Sequence, residues 1–336
     1  YDKDLDREIL PNGAKANELL VFADLGDAWD FPMDYAEQEP RTMALASSEA
    51  WVDGPQAVVK QTYRLGHSEL VQEIRLTAAS ARLDFVTDVR WREIRSMLRT
   101  RFPVDVHANA ATYEIQFGHL QRPTHRNTTW DLARDEVAAH KWVDLSQRDF
   151  GIALLNDSKY GHKIKGNVID LNLLRSAPYP GYNQLVDAEF PAGEPHEGYT
   201  DQCDHSFTYA LYPHVGDAVT GGVIQAGYEL NVPLRITSTS AHPGDTPRRR
   251  SLLSLDTDSV VVEAVKQAED DDNTIIIRLY EATGASVETV LRLDLPFSEA
   301  AEADLMENPL KPLEQVDGSV ALSFAPFEIK TIRLSK

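Results

Sequence analysis

The 336-residue chain carries 33 Lys and Arg against 53 Asp and Glu, a formal net charge of −20, and 42% of its residues are apolar. That apolar content is ample for a packed core, but no run reaches the roughly 18 uninterrupted apolar residues of a membrane-spanning helix, so no membrane partner is expected. The surplus of carboxylates disfavours nucleic acid, whose phosphates must be neutralised by Lys and Arg.

The length exceeds the usual size of one core and predicts two domains. A single cysteine, Cys203, excludes an intrachain disulfide and any multi-cysteine metal site, as suits a reducing compartment. The opening Tyr1-Asp2-Lys3-Asp4-Leu5-Asp6 has no basic-then-apolar secretory pattern, so a cytoplasmic location is expected.

Strand signals dominate the pattern. Leu83 to Val89 mixes alternation with β-branched residues. A short helix is predicted around Trp130 to Ala139, where Ala, Leu and Glu concentrate. Gly166 between two apolar runs predicts a hairpin that brings positions 160 and 175 together. Asp201-Gln202-Cys203-Asp204-His205 holds four potential metal ligands, but strand alternation lets only Asp201, Cys203 and His205 share a face; a junction leading into the strand at Phe207 fits better than a closed metal site. Gly221-Gly222 reads as a turn, and residues 236–250, rich in Ser, Thr, Pro and Gly and ending in Arg248-Arg249-Arg250, as a linker.

Beyond it, strands are expected at Ser259 to Ala264 and Ile275 to Tyr280, joined by an acidic turn at Glu269 to Asn273 whose spacing matches no EF-hand loop. After a turn at Gly284, Val287, Thr289, Leu291 and Leu293 alternate as one buried strand face. A second short helix is predicted at Ser298 to Met306. Val320, Leu322 and Phe324 alternate again, Pro326 interrupts, and Ile329 to Leu334 forms the last strand.

Gly-x-Ser-x-Gly, His-Glu-x-x-His and glycine-rich phosphate motifs are absent from the sequence, and 53 acidic residues offer many carboxylate pairs with none singled out. Four segments instead combine aromatic with planar polar side chains, the types that pack on sugar rings and bind their hydroxyls. These are Asp27 to Asp30, Arg122 to Asp131, Asn156 to Gly161, and Leu173 to Arg175. Each taken by itself fits a hydrogen-bonded structural loop better than a sugar site.

Taken in order, these segments resemble the carboxyl-terminal region of glycoside hydrolase family 38 α-mannosidases, chiefly the cytosolic and vacuolar branch with its bacterial relatives. The resemblance runs through Asn17 to Phe22 with Asp27-Ala28-Trp29-Asp30, Trp91-Arg92-Glu93, Phe102-Pro103-Val104, and Ala111 to Gly118. It continues through Arg122-Pro123-Thr124-His125, His140 to Asp144, Gly151 to Gly161, Leu173-Leu174-Arg175 and Phe207 to His214, and resumes at Ile277 to Glu281 and Pro326 to Thr331.

It implies an all-β fold: a large antiparallel supersandwich, galactose mutarotase-like, over residues 1–240, then a smaller β-sandwich over 241–336. It implies that the catalytic carboxylates and the zinc ligands lie in an amino-terminal barrel, the main partner, so that no catalytic residue and no zinc site is expected in this chain. The whole enzyme would release α-linked mannose with retention from a mannose-containing oligosaccharide, and the reading leaves room for a homo-oligomer. Trp29, Asp30, His125, Lys159, Tyr160 and Arg175 are the candidate substrate-binding residues; Arg175 equally fits a buried ion pair. The rival readings are a freestanding carbohydrate-binding module, which would use the same aromatic loops, and a mutarotase-like epimerase, which would need a His and Glu pair that the sequence does not nominate.

Overall fold

A computed structural model describes residues 1–3, 5–180, 193–241, 243–245 and 247–335. They form two compact units, one of residues 1–114 and 120–233, the other of 115–119 and 234–336.

Apart from residues 115–119, the first unit contains β1 (Glu18–Ala23), β2 (Arg41–Thr42), β3 (Ala44–Asp53), β4 (Gln56–Leu65), β5 (Ser68–Thr77), β6 (Leu83–Arg90), β7 (Ser96–Pro103) and β8 (Ala110–Ile115), whose last residue is among those excepted. After these come β9 (Gly118–Pro123), whose first two residues are also among them, α1 (Thr129–Ala133), β10 (Val137–Ala138), β11 (Trp142–Ser146), β12 (Phe150–Asn156), β13 (Gly161–Lys165), β14 (Val168–Arg175), β15 (Asp204–Val215) and α2 (Val223–Asn231). Two antiparallel sheets result, a nine-stranded one in the order β3-β4-β5-β6-β15-β12-β11-β8-β9 and a six-stranded one in the order β10-β13-β14-β7-β1-β2. Alternate residues of both enter one core, such as Leu19 and Val21, Ile152 and Leu154, Phe207 and Tyr209. Within it Phe85 stacks on Tyr209 at 5.1 Å, and Phe102 meets Phe85 at 5.5 Å.

The other sheet faces are also partly covered. Ala153, Leu155 and Ala210 on the nine-stranded sheet pack with Val223 and Ala226 of α2. That explains why β12 is buried along its whole length. Helix α2 is missing from the sequence expectation. Its first residue follows Gly222, which caps it at φ 73°, so the Gly221-Gly222 turn is a helix start. Gly227 inside the helix lowers its helical signal, but a Cβ there would lie 2.8 Å from Trp142 Cδ1. Close packing, not helix propensity, selects glycine at that position.

The second unit contains β16 (Leu253–Leu255), β17 (Val260–Gln267), β18 (Thr274–Glu281), β19 (Val287–Leu293), β20 (Glu299–Ala303), β21 (Pro309–Pro312), β22 (Gln315–Val316), β23 (Ser319–Phe324) and β24 (Ile329–Ser335). A four-stranded sheet, β16-β19-β23-β22, and a five-stranded sheet, β17-β18-β24-β20-β21, enclose Ile277, Leu279, Leu291, Val320, Phe324 and Ile332. The all-β sandwich architecture read from the sequence is therefore present in both units. Buried Glu281 anchors the loops at one end: its carboxylate accepts from the amides of Thr283 at 2.7 Å, Gly284 at 2.8 Å and Phe327 at 3.0 Å. These bonds hold Phe327 in a left-handed backbone conformation, φ 58°.

Of the two predicted helices, one is corrected to a strand and the other is present but shorter than expected. Ser298 to Met306 contains β20, whose Ala301 pairs with Arg333 of β24; Ala300 and Ala303 are buried, and sheet pairing overrides the helical preference of Ala and Glu. Of Trp130 to Ala139, only the five-residue α1 and the two-residue β10 are regular. Thr128 and Asp131 close a capping box at the start of α1.

Candidate functional site

At the end of β14 the Arg175 guanidinium organises the loop that follows β1. Its Nε donates to Asp24 Oδ2 at 2.6 Å and its Nη2 to Asp24 Oδ1 at 3.3 Å. Nη2 also donates to the carbonyls of Asp27, at 2.9 Å, and Asp30. Phe31 lies 5.0 Å beneath the guanidinium. Asp24 is fully buried, so a cation here offsets the cost of removing its charge from water.

The loop is further fixed by Asp27 Oδ1, which accepts from the amides of Trp29 at 2.8 Å and Asp30 at 3.1 Å. Gly26 is required at its bend, because a Cβ would lie 2.5 Å from the Asp30 carbonyl oxygen and 3.3 Å from Arg175 Nη2. The outcome is an ordered tip on which the Trp29 indole is 80% exposed beside Asp30.

The predicted hairpin forms between β13 and β14, with Gly161 opposite Asn172 and Gly166 at φ 58° in the turn. Arg175 and Tyr160 nevertheless turn to different partners. Tyr160, half exposed, meets His140 edge-on at 5.2 Å, and its carbonyl accepts from the Ala139 amide at 3.0 Å. Lys159 joins the Arg175 cluster indirectly. Burial lowers its pKa, opposed by Asp201 and Asp157, and Asp201 Oδ2 accepts from the Arg175 amide at 2.8 Å. The Lys159 ammonium also lies 4.4 Å from the Phe207 ring centroid.

Thus Trp29, Asp30 and Arg175 are one assembly, Lys159 adjoins it through Asp201, and Tyr160 is its chain neighbour. His125 is separate. It lies 3.5 Å from Asp131 and lines a cavity that none of Trp29, Asp30 and Arg175 lines.

The sequence reading missed a charged layer on the outer face of the six-stranded sheet. Arg99, fully buried, donates from Nε to Asp170 Oδ1 at 2.5 Å and lies 3.1 Å from Glu136 Oε1; Arg101 Nε reaches Asp170 Oδ2 at 2.6 Å. Tyr35 donates to Glu136 at 2.5 Å and stacks its ring 4.9 Å from the Arg99 guanidinium. Burial raises the Glu136 carboxyl despite Arg99, and lowers Lys163 to about 8 despite Glu136. On the core side of β13, burial lowers His162 to about 4. The available signal was charge at unexpected places: Arg99 and Arg101 inside an otherwise buried strand, and Asp170 between Ile169 and Leu171.

Every buried carboxylate described is committed to donors. Besides Asp24 and Asp170, Glu114 holds Lys141 at 3.0 Å, Asp144 holds His214 at 2.7 Å, and Glu307 holds Lys266 at 2.8 Å. Glu281 accepts the loop amides described above. None presents the free, paired arrangement that glycosidic bond hydrolysis uses. Nor do Asp201, Cys203 and His205 fit a zinc ion: His205 Nε2 sits 2.9 Å from the Asp201 carbonyl oxygen and 3.4 Å from Cys203 Sγ, and the Asp201 carboxylate binds the Arg175 amide. Among the described residues no group of three or more His, Cys, Asp or Glu is placed to hold a metal. Residues 201–203 form the junction into β15 that the sequence predicts.

Comparison with known proteins gives these features a family. Residues 1–183 match the glycosyl hydrolases family 38 C-terminal domain, and residues 259–332 the glycosyl hydrolases family 38 C-terminal beta sandwich domain. The chain is 40% identical over 341 residues to alpha-mannosidase 2C1 of Mus musculus, covering 98% of this chain and 31% of that protein. It is 35% identical over 349 residues to alpha-mannosidase G of Dictyostelium discoideum, covering 99% and 30%. The chain thus spans about a third of the length of these curated relatives. An alpha-mannosidase from Enterococcus faecalis V583 shares the fold, with a TM-score of 0.78 at 17% identity over 99% of this chain and 39% of that one. The chain belongs to glycosyl hydrolase family 38, of which it carries the C-terminal domain and the C-terminal beta sandwich domain.

Proposed function

We propose that this chain is the non-catalytic carboxyl-terminal portion of a retaining α-mannosidase of the cytoplasm, and that its loops complete a substrate site built mainly by an amino-terminal, zinc-dependent barrel. The observation that carries this is the Arg175-held loop, which displays Trp29 and Asp30 while every buried carboxylate among the described residues is bound by donors of the chain. A fixed, exposed aromatic face beside a carboxylate suits a mannose ring of an oligosaccharide. Zinc belongs to the barrel in this reading, since Asp201, Cys203 and His205 are engaged with one another or with backbone.

The chain alone, supplied with zinc and an aryl α-mannoside, should show no turnover. In the full-length enzyme, Trp29→Ala should lower kcat/KM roughly tenfold, as expected for losing an aromatic contact of about 1.5 kcal/mol. Unchanged kinetics would remove Trp29 from the site, and turnover by the chain alone would overturn the non-catalytic assignment. The exposure of Trp29 also suits a freestanding carbohydrate-binding module. Tight binding of a mannose oligosaccharide by this chain alone would favour that second reading.

A further inference from the structure

At one end of the first unit a cavity of about 300 Å³ opens between β9, the end of β13 and the loop that carries α1. In a chain of net charge −20, its lining is basic: Arg122, Arg126, Arg134 and Lys165 face two carboxylates, Asp131 and Asp135. Both carboxylates have other partners. Asp135 pairs with Arg126 and lies 2.5 Å from Lys163, which approaches it from β13. Asp131 Oδ2 accepts from the Thr128 amide at 3.1 Å and the Thr128 hydroxyl at 2.9 Å, with Arg134 3.8 Å from its other oxygen.

Cationic donors remain. The Arg122 guanidinium lies 5.8 Å from the Tyr113 ring centroid, with no ion pair to any described residue. Its Nε–H is buried and meets no acceptor, and the same holds for Nε of Arg126. Neither guanidinium is thus saturated by the described residues, and Arg122 has no carboxylate to balance it, so the basic cavity they line has donors to offer an acceptor from outside the chain. Planar guanidinium forks suit the oxygens of a phosphoryl group, and the volume admits a small ligand.

We propose that this cavity is a phosphoryl-binding site, taking inorganic phosphate or a phosphorylated sugar against Arg122 and Arg126. The inference does not rest on the Trp29 loop, none of whose residues lines this cavity. Calorimetric titration of the full chain with sodium phosphate, at constant ionic strength and near pH 7.5, tests it. One saturable site of millimolar affinity or better is expected, weakened at least tenfold in Arg122→Gln; this variant breaks no ion pair and should melt at the wild-type temperature. A hexose 6-phosphate binding tenfold more tightly than phosphate would identify a phosphorylated sugar as the ligand, and equal affinities the free oxyanion. The proposal is overturned by an absence of saturation up to roughly 20 mM phosphate, which would leave less than about 2.3 kcal/mol of binding free energy. Equal binding of acetate or of the neutral hexose, or an Arg122→Gln chain that binds phosphate unchanged, would overturn it too.

Discussion

Replacing Arg175 with alanine tests whether the Trp29 loop owes its shape to one buried charge pair. The substitution strands the Asp24 carboxylate, which is fully buried, whereas the Arg175 side chain is 19% exposed. Removing one member of a buried pair costs about 3–5 kcal/mol, and partial exposure lets water enter beside Asp24, which points to the lower end. The carbonyls of Asp27 and Asp30 lose their donor as well, but Asp30 is exposed and can turn to water. A net loss of about 3 kcal/mol should lower the melting temperature of a unit of this size by roughly 10 °C. Hydrogen exchange should quicken at the Ala28, Trp29 and Asp30 amides, which are hydrogen-bonded within the loop or to Pro178. Neutralising the stranded group should recover part of the loss, so Asp24→Asn with Arg175→Ala should be more stable than Arg175→Ala alone. In the full-length enzyme, Arg175→Ala should reduce kcat/KM by a factor of roughly ten to a thousand through misplacement of the loop. A stability loss below about 1 kcal/mol, or no recovery on adding Asp24→Asn, would refute the charge-pair account.

Gly227→Ala should destabilise the first unit by about 1–3 kcal/mol in urea unfolding, since the new Cβ meets Trp142 and overpacking outweighs the helical gain of about 1 kcal/mol; a more stable variant would contradict the close-packing explanation. His162 has its folded pKa lowered to about 4, so the unfolded chain binds the extra proton first and stability falls as pH drops from about 6.5 toward 4. Thermal melts of His162→Gln should show a shallower decline across that window than wild type. Glu281 titrates lower: burial raises its carboxyl, but the Phe327 amide and the Thr283 and Gly284 donors outweigh it and hold the pKa below the usual value. Its stabilisation is present above about pH 4.5 and fades below, so melts of Glu281→Gln between pH 5 and 3 should lose less stability than wild type.

Strands were legible where one face is wet and the other dry. Thr289, Leu291 and Leu293 are buried along β19 while Glu288 and Arg292 are exposed, and the period of two is visible without any structure. Regions covered on both sides lose that period. In β12 all seven residues are buried, and the reason is α2, a helix that the sequence conceals behind Gly222 and Gly227. The misread segment at Glu299 to Ala303 shows the converse: its composition favours a helix, but its place beside β24 is set by residues some thirty positions away.

The candidate site was legible in its residue types but not in its pairings. A Trp-Asp loop announces itself, whereas the cation that holds it is 151 residues distant from Asp24, and the Arg99–Asp170 pair spans 71. Charge inside a strand is the one local trace of such pairs. Arg99 and Arg101 share a face of β7 with Asp170 opposite Arg101, and three ionised groups in a buried layer persist only because each neutralises another. Asp170 and Glu136 in that layer are bound to Arg99, Arg101 and Tyr35, so its contribution is to fix the strands and loops in place. Under the function proposed above, Trp29 and Asp30, both exposed, are the groups that reach a ligand, and the acid and base that cleave it come from the barrel.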